Sequence, residues 1–243
     1  MDRQGSDFMR ADGRWLVIFD CDGVLVDSEP IALSVLGELL ALRGLRMERD
    51  ELSTRFLGRS LRSVIEAVAA EDGLMLPEDF AMHLRQELFA RFEQELQPMS
   101  GISAVLDGLE SRGIAFCVAS SSQVDRIERS LSITGLLPRF SGRIYSATMV
   151  QHGKPAPDLF MLAAGSQNVP AENCIVVEDS PAGIEAANAA AMRVFAFTGG
   201  GHTKAESYMR AIARTKVDAR FDLMPELLQR VDLVRNSEAS LNG

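Results

Sequence analysis

The sequence predicts an α/β protein, a doubly wound parallel sheet interrupted by an all-helical insert. Three observations carry this. Short apolar runs rich in Val, Ile and Phe recur without alternating, as strands buried on both faces of a parallel sheet do. Helical patterns separate most of these runs, the rhythm of βαβ units. Residues 30–98 break that rhythm, with helical periodicity and no convincing strand.

WLVIFD (15–20) reads as the first strand. The insert follows at once. IALSVLGELLALRG, a short segment near 48–56, LRSVIEAVAAEDG and PEDFAMHLRQELFARFEQEL supply three or four amphipathic helices, bounded near Pro30 and Pro98–Gly101. The alternation then resumes with helix 101–113, strand IAFCVAS (114–120), helix 125–135 and a weaker strand GRIYSA (142–147). Helix 157–168, strand CIVVED (174–179), helix 181–192 and strand RVFAF (193–197) complete it. The helix ending Ala189-Ala190-Ala191-Met192 lacks the glycine expected at its C-terminus. Either Ala191 turns left-handed at some strain or the helix ends differently. The expected organisation is an α/β core from 13–29 and 99–235, a helical cap from 30–98, and flexible tails at 1–12 and 236–243.

Composition narrows the function classes. A chain of 243 residues, 47% hydrophobic and 24% charged, is long enough for a full core and ordinary for a globular protein. No run approaches about 20 apolar residues, so a membrane span is not expected. The polar start MDRQGSDFMRADGR lacks the apolar stretch of a signal peptide. Cys21, Cys117 and Cys174 sit in or beside apolar runs without metal-ligand spacing, which fits a reduced, cytoplasmic protein. A net charge of −9 with no basic run argues against nucleic-acid binding. A small anionic substrate is compatible, because a few local cations overcome a diffuse field.

The chemistry gathers at strand ends, where open parallel sheets bind ligands. Asp20 follows the first strand, Ser120 closes the second, and Glu178-Asp179 ends CIVVED. Lys154, the first lysine in the chain, stands in a Gly-Lys-Pro-Ala-Pro loop before a helix. Asp20, Asp22, Glu178 and Asp179 together would repel one another unless a cation sat among them. Oxygen donors without His or Cys suit Mg²⁺. Lys154 adds a compact positive charge and Ser120 a hydroxyl. Ser122-Gln-Val-Asp125 has capping-box character, and Ser180-Pro181 reads as N-cap and N1, so two helix starts face the same anion. One aspartate of the 20/22 pair can attack phosphorus, while the other protonates the leaving oxygen. Gly23 lets the chain turn sharply beside them.

These residues resemble the haloacid dehalogenase superfamily of phosphotransferases. Asp-Cys-Asp-Gly-Val at 20–24, Ser120, Lys154 before Pro155, and Glu178-Asp179-Ser180 match its four motifs in order, over roughly 15–198. The insert is similar to the small helical cap of the phosphoglucomutase-like subgroup. The resemblance implies that Asp20 is the nucleophile and Asp22 the acid/base. It also implies that Asp20, the Asp22 main-chain carbonyl and Asp179 bind Mg²⁺, with Glu178 supporting them. Gly23, Glu29, Arg59, Ser121 and Ser122 are the expected substrate contacts. Two of these stay open: Glu29, with Asp27, could instead cap the first insert helix, and Arg59 could be a solvated cap residue. Gly199-Gly200-Gly201-His202 lacks the ending of a P-loop and reads as a flexible loop near the site.

The expected activity is Mg²⁺-dependent hydrolysis of a small phosphate ester, a sugar or sugar-acid phosphate, by a monomer or weak dimer. A β-phosphoglucomutase-type mutase is the alternative. It is set back because Leu61 and Ala32 stand where those mutases carry an arginine and a histidine. A dehalogenase needs neither Asp22 nor the metal. A phospho-receiver module would not carry the paired aspartates followed by a long insert.

Overall fold

A computed structural model describes residues 14–57, 59–204 and 206–241. The expected flexible leader at 1–12 lies outside them. Six parallel strands form one sheet in the order β3-β2-β1-β4-β5-β6. The strands are β1 (Leu16–Phe19), β2 (Ala115–Ser120), β3 (Ile144–Ser146), β4 (Cys174–Glu178), β5 (Arg193–Phe197) and β6 (Ala219–Phe221). The chain winds outward from β1 in both directions, so the switch point falls between β1 and β4.

Both faces of the sheet are buried, which explains the unbroken apolar runs. Leu16, Ile18 and Val176 point to one side, against Leu159 and Phe160 of α7 (Asp158–Ser166) and Ile184 of α8 (Pro181–Ala189). Val17, Phe19 and Val177 point to the other, toward α5 (Ile102–Ser111) and α6 (Val124–Ile133). Fully burying each such side chain stabilises the fold by about 1.5–3 kcal/mol.

Four helices separate β1 from α5: α1 (Glu29–Ala41), α2 (Arg49–Phe56), α3 (Leu61–Asp72) and α4 (Phe80–Glu95). Their apolar faces, including Leu40, Val68, Phe80 and Phe92, join the same buried cluster as Phe19. The two crossings between sheet and helices run side by side. Asp27 N–H donates to the Gln97 carbonyl (3.1 Å) and Met99 N–H to that of Leu25 (2.8 Å).

Several local expectations change. Helix α1 starts at Ser28-Glu29-Pro30 without a side-chain cap. Asp27 Oδ1 instead accepts the Gly201 N–H at 3.2 Å. The expected capping box at Ser122 is absent, because α6 has Gln123 at its N-cap and that side chain makes no capping bond. Ser180 does cap α8, accepting the Gly183 N–H at 3.0 Å ahead of Pro181. Ala191 is left-handed, with φ 55°. Its N–H donates to Asn188 and that of Met192 to Ala187, the paired closure that usually employs glycine.

Beyond β5 the structure adds β6, α9 (Glu206–Ala213) and α10 (Glu226–Leu241), none of which belongs to the expected alternation. β6 has three residues with exposed Arg220 at its centre, so it offers no apolar run. The tail expected from 236 continues α10 as far as Leu241. Among the described residues no helix is long and apolar enough to cross a membrane. The three cysteines are free and buried.

Candidate active site

The strand register builds the site. Phe19 pairs with Val118 on one side and Val177 on the other, so β1, β2 and β4 end level. Asp20, Ser120 and Glu178-Asp179 are therefore set side by side. Lys154 reaches into this row with its side chain 3% exposed. Its ammonium donates to Asp20 Oδ1 (2.6 Å), Glu178 Oε1 (2.6 Å) and the Ala119 carbonyl (3.0 Å). Those bonds spend all its protons. Glu178 Oε2 accepts from the Asp179 N–H (2.9 Å), the Ser180 N–H (2.8 Å) and the Ser180 hydroxyl (2.9 Å). Glu178 is thus committed on both oxygens.

Charge does not balance here. Asp20, Glu178 and Asp179 are buried around a single ammonium, leaving two negative charges in excess. Burial raises the Asp20 carboxyl well above its usual range; Lys154 opposes this, while Glu178 and Asp179 add to it. Asp179 is raised likewise, by burial and then by Glu178. Burial works against the Lys154 charge, but Asp20 and Glu178 outweigh it and hold the ammonium above its ordinary value. Among the described residues no three His, Cys, Asp or Glu side chains converge as a ready-made metal cage. The arrangement fits a hard cation that uses one or two carboxylates and keeps its waters.

Asp22 faces another way. Its Oδ1 accepts from the Ser28 hydroxyl (2.6 Å) and the Arg126 guanidinium (2.9 Å), and its Oδ2 from the Ser122 hydroxyl (2.7 Å). Burial alone would raise this carboxyl, but Arg126 and the two serines outweigh it, so the net shift is downward. Arg126, on the inner face of α6, was not picked out from the sequence. It sits between polar Asp125 and buried Ile127 and reads as one more charged residue of an amphipathic helix, so only the helix's orientation on the sheet marks it.

The other expected residues divide. Gly23 adopts φ 82°, and a Cβ there would lie 2.0 Å from Asp179 Oδ2, so only glycine fits the turn. Ser120 is buried, with its hydroxyl accepting the Ser122 N–H at 3.1 Å. Half-buried Glu29 enters the site from the first turn of α1, its carboxyl raised to about 7 chiefly by burial and then by Asp22. Ser121 is exposed. Arg59 is exposed, and its guanidinium donates to the Arg55 (3.3 Å) and Ser63 (3.4 Å) carbonyls. His202, placed by sequence in a loop near the site, is instead buried in it. The signal was its position just after β5, a strand end like the others.

Comparison with known proteins decides the family. Residues 17–197 match the family described as haloacid dehalogenase-like hydrolase. The chain belongs to the haloacid dehalogenase-like hydrolases. It is similar to the 6-phosphogluconate phosphatase of Escherichia coli, 34% identical over 77% of this chain and 84% of that protein. Its fold is similar to that of a conserved haloacid dehalogenase-like protein of Agrobacterium tumefaciens, at 32% identity and TM-score 0.78, covering 91% of this chain and 99% of that one. A haloacid dehalogenase-family hydrolase from Deinococcus radiodurans with bound phosphate and sodium superposes at TM-score 0.76 and 28% identity, over 91% and 96% of the two chains.

Proposed function

We propose that the chain is a Mg²⁺-dependent phosphatase acting on a small sugar or sugar-acid phosphate through an aspartyl-phosphate. Its place among phosphoric monoester hydrolases follows from the family match and its phosphatase relative. The observation that carries the finer reading is Lys154 pinned between Asp20 and Glu178 beside an uncompensated Asp179.

Lys154 fixes Asp20 through Oδ1, so Oδ2 is the attacking oxygen. Asp20, Asp179 and the Asp22 main-chain carbonyl would hold Mg²⁺, and Glu178 holds Lys154 and the turn at 179–180. The cation would offset repulsion between the attacking carboxylate and the phosphate dianion. The Ser120 hydroxyl would take a phosphoryl oxygen, and the Lys154 charge beside Asp20 would favour the phosphate dianion through the field rather than through a further hydrogen bond. Asp22 would protonate the leaving oxygen and then take a proton from water. To do so it must give up Ser28, Ser122 and Arg126, which hold it ionised. Ser28 sits at the start of α1, so reseating the helical segment would loosen that hold. Glu29 would face the substrate's polar groups.

The test is Mg²⁺-dependent phosphate release from 6-phosphogluconate, hexose phosphates and phosphoglycolate, with Asp20→Asn as control. A preference among them, with at least a ~10³-fold loss in the variant, is expected for a missing nucleophile. Conversion of one hexose phosphate isomer into another without release would restore the mutase.

A further inference from the structure

His202 is 5% exposed, in the turn Gly201–Lys204 that follows β5. Its Nε2 lies 2.7 Å from Asp179 Oδ2. The approach is short but out of line, and neither ring nitrogen has a hydrogen-bond partner. A buried imidazole left in this condition costs free energy, so its placement needs a reason.

The surrounding structure holds the ring where it is. A Cβ at Gly200 would come 2.7 Å from the imidazole and 3.1 Å from the Gly23 carbonyl. A Cβ at Gly23 would also come 2.7 Å from the ring. Both glycines thus form a slot for His202. Tyr208 of α9 closes it, ring edge to face at 5.2 Å. Asp27 Oδ1 anchors the loop through the Gly201 N–H at 3.2 Å. Thr203 fixes its far side by donating to the Thr198 carbonyl at 2.6 Å.

We propose that His202 is a positioning residue for the divalent cation: its Nε2–H holds Asp179 Oδ2 and so presents Oδ1 to the metal. This rests on the metal reading above. Lys154 cannot do the task, because its protons go to Asp20, Glu178 and Ala119. Rotation of a carboxylate about its last torsion is soft, so a small turn of Asp179 brings Nε2–H into line. Partners that orient a ligating group typically change metal affinity 10–100-fold when removed.

The experiment is calorimetric titration of the metal-free protein with Mg²⁺, for wild type and three His202 variants. His202→Ala is expected to weaken binding about 10-fold or more. His202→Gln places an amide N–H near the Nε2 position and is expected to stay within about 3-fold of wild type. His202→Asn keeps polarity and a similar fold but sets its amide at the Nδ1 position, out of reach, and is expected to weaken binding as Ala does. The Gln and Asn pair keeps the test decisive where Ala unfolds. Unchanged affinity in Ala or Asn, or an equal loss in Gln, overturns the role of His202 alone. A wild type that binds no Mg²⁺ overturns the metal reading and this inference with it.

Discussion

Glu29 and Asp22 are both carboxylates drawn into the same cleft, and their surroundings push them in opposite directions. Asp22 has a guanidinium and two hydroxyls as donors and stays ionised. Glu29 has burial and the neighbouring Asp22 charge against it, and its carboxyl rises from an ordinary 4.5 to about 7. Linkage sets the sign. Between those values the folded protein keeps a proton that the unfolded chain has lost, so stability falls as pH rises through this window. Below it both states are protonated and the group contributes nothing. Glu29→Gln removes the penalty. In EDTA the melting temperature of Glu29→Gln relative to wild type is expected to match near pH 4 and to exceed it increasingly toward pH 8. A difference that does not change with pH would show that Glu29 titrates normally. Ala191 carries a separate local cost, since a non-glycine left-handed residue is strained by about 1–2 kcal/mol. Ala191→Gly trades that strain for chain entropy and is expected to gain about 0.5–1 kcal/mol, with unchanged turnover. Thermal unfolding should register this as a rise of about 1–4 °C.

Among the elements, α8 shows how a helix start is fitted to the chemistry. Its first turn packs so closely on Glu178 that a Cβ at Gly183 would lie 1.8 Å from Oε1. Glu178 has no room to retreat, because Lys154 and the turn at 179–180 hold it on both sides. Gly183→Ala is expected to cost about 1–3 kcal/mol of stability through overpacking. By displacing Glu178 and hence Lys154 it should also lower kcat about 100-fold. Retained kcat in a folded Gly183→Ala protein would show that Lys154 does not depend on this packing. The strand-end residues of this site were legible because a parallel strand announces its own end: the apolar run stops and a polar residue follows. That rule reached Asp20, Ser120, Glu178 and Asp179. Arg126 escaped it, because a helix face toward the cleft is fixed by how α6 lies on the sheet. Ser122 carries the sequence pattern of a helix cap and of a substrate contact, and its hydroxyl donates to Asp22, a partner 100 residues away in the chain. Arg59 was an expectation from its turn, and the turn keeps it to itself.

At the scale of the whole molecule, the parallel sheet and the run of helices within it were legible from alternation and its interruption, whereas the strand order β3-β2-β1-β4-β5-β6 depends on pairings that the sequence pattern does not carry. The seam between sheet and helices was not legible either, since it depends on pairs far apart in sequence. Helix α4 meets α6 through three arginines. Arg85 pairs with Gln123 and Asp125, Arg129 with Glu93 at 2.7 Å, and the Arg126 guanidinium lies 5.7 Å from the Phe92 ring centre. Arg85 and Arg129 also flank the Phe89 ring, at 5.2 and 5.1 Å. The charged pairs are exposed, worth about 0–1 kcal/mol each and screened by salt. They are too weak to hold the fold together, yet strong enough to bias how α4 lies against α6. If the four helices α1–α4 close over the substrate, loosening the seam should act on substrate capture more than on the chemical step. The double variant Arg85→Ala/Arg129→Ala is therefore expected to melt only a few degrees below wild type. Its KM should rise about 3–10-fold, the equivalent of ~1 kcal/mol, with kcat nearly unchanged. Ionic strength provides the internal check. Wild-type KM should climb between 20 mM and 500 mM salt (roughly a fivefold fall in Debye length), because these pairs are screened there. The double variant has lost the pairs, so its KM should respond much less. Equal salt dependence in both proteins would mean that the α4–α6 seam does not govern closure.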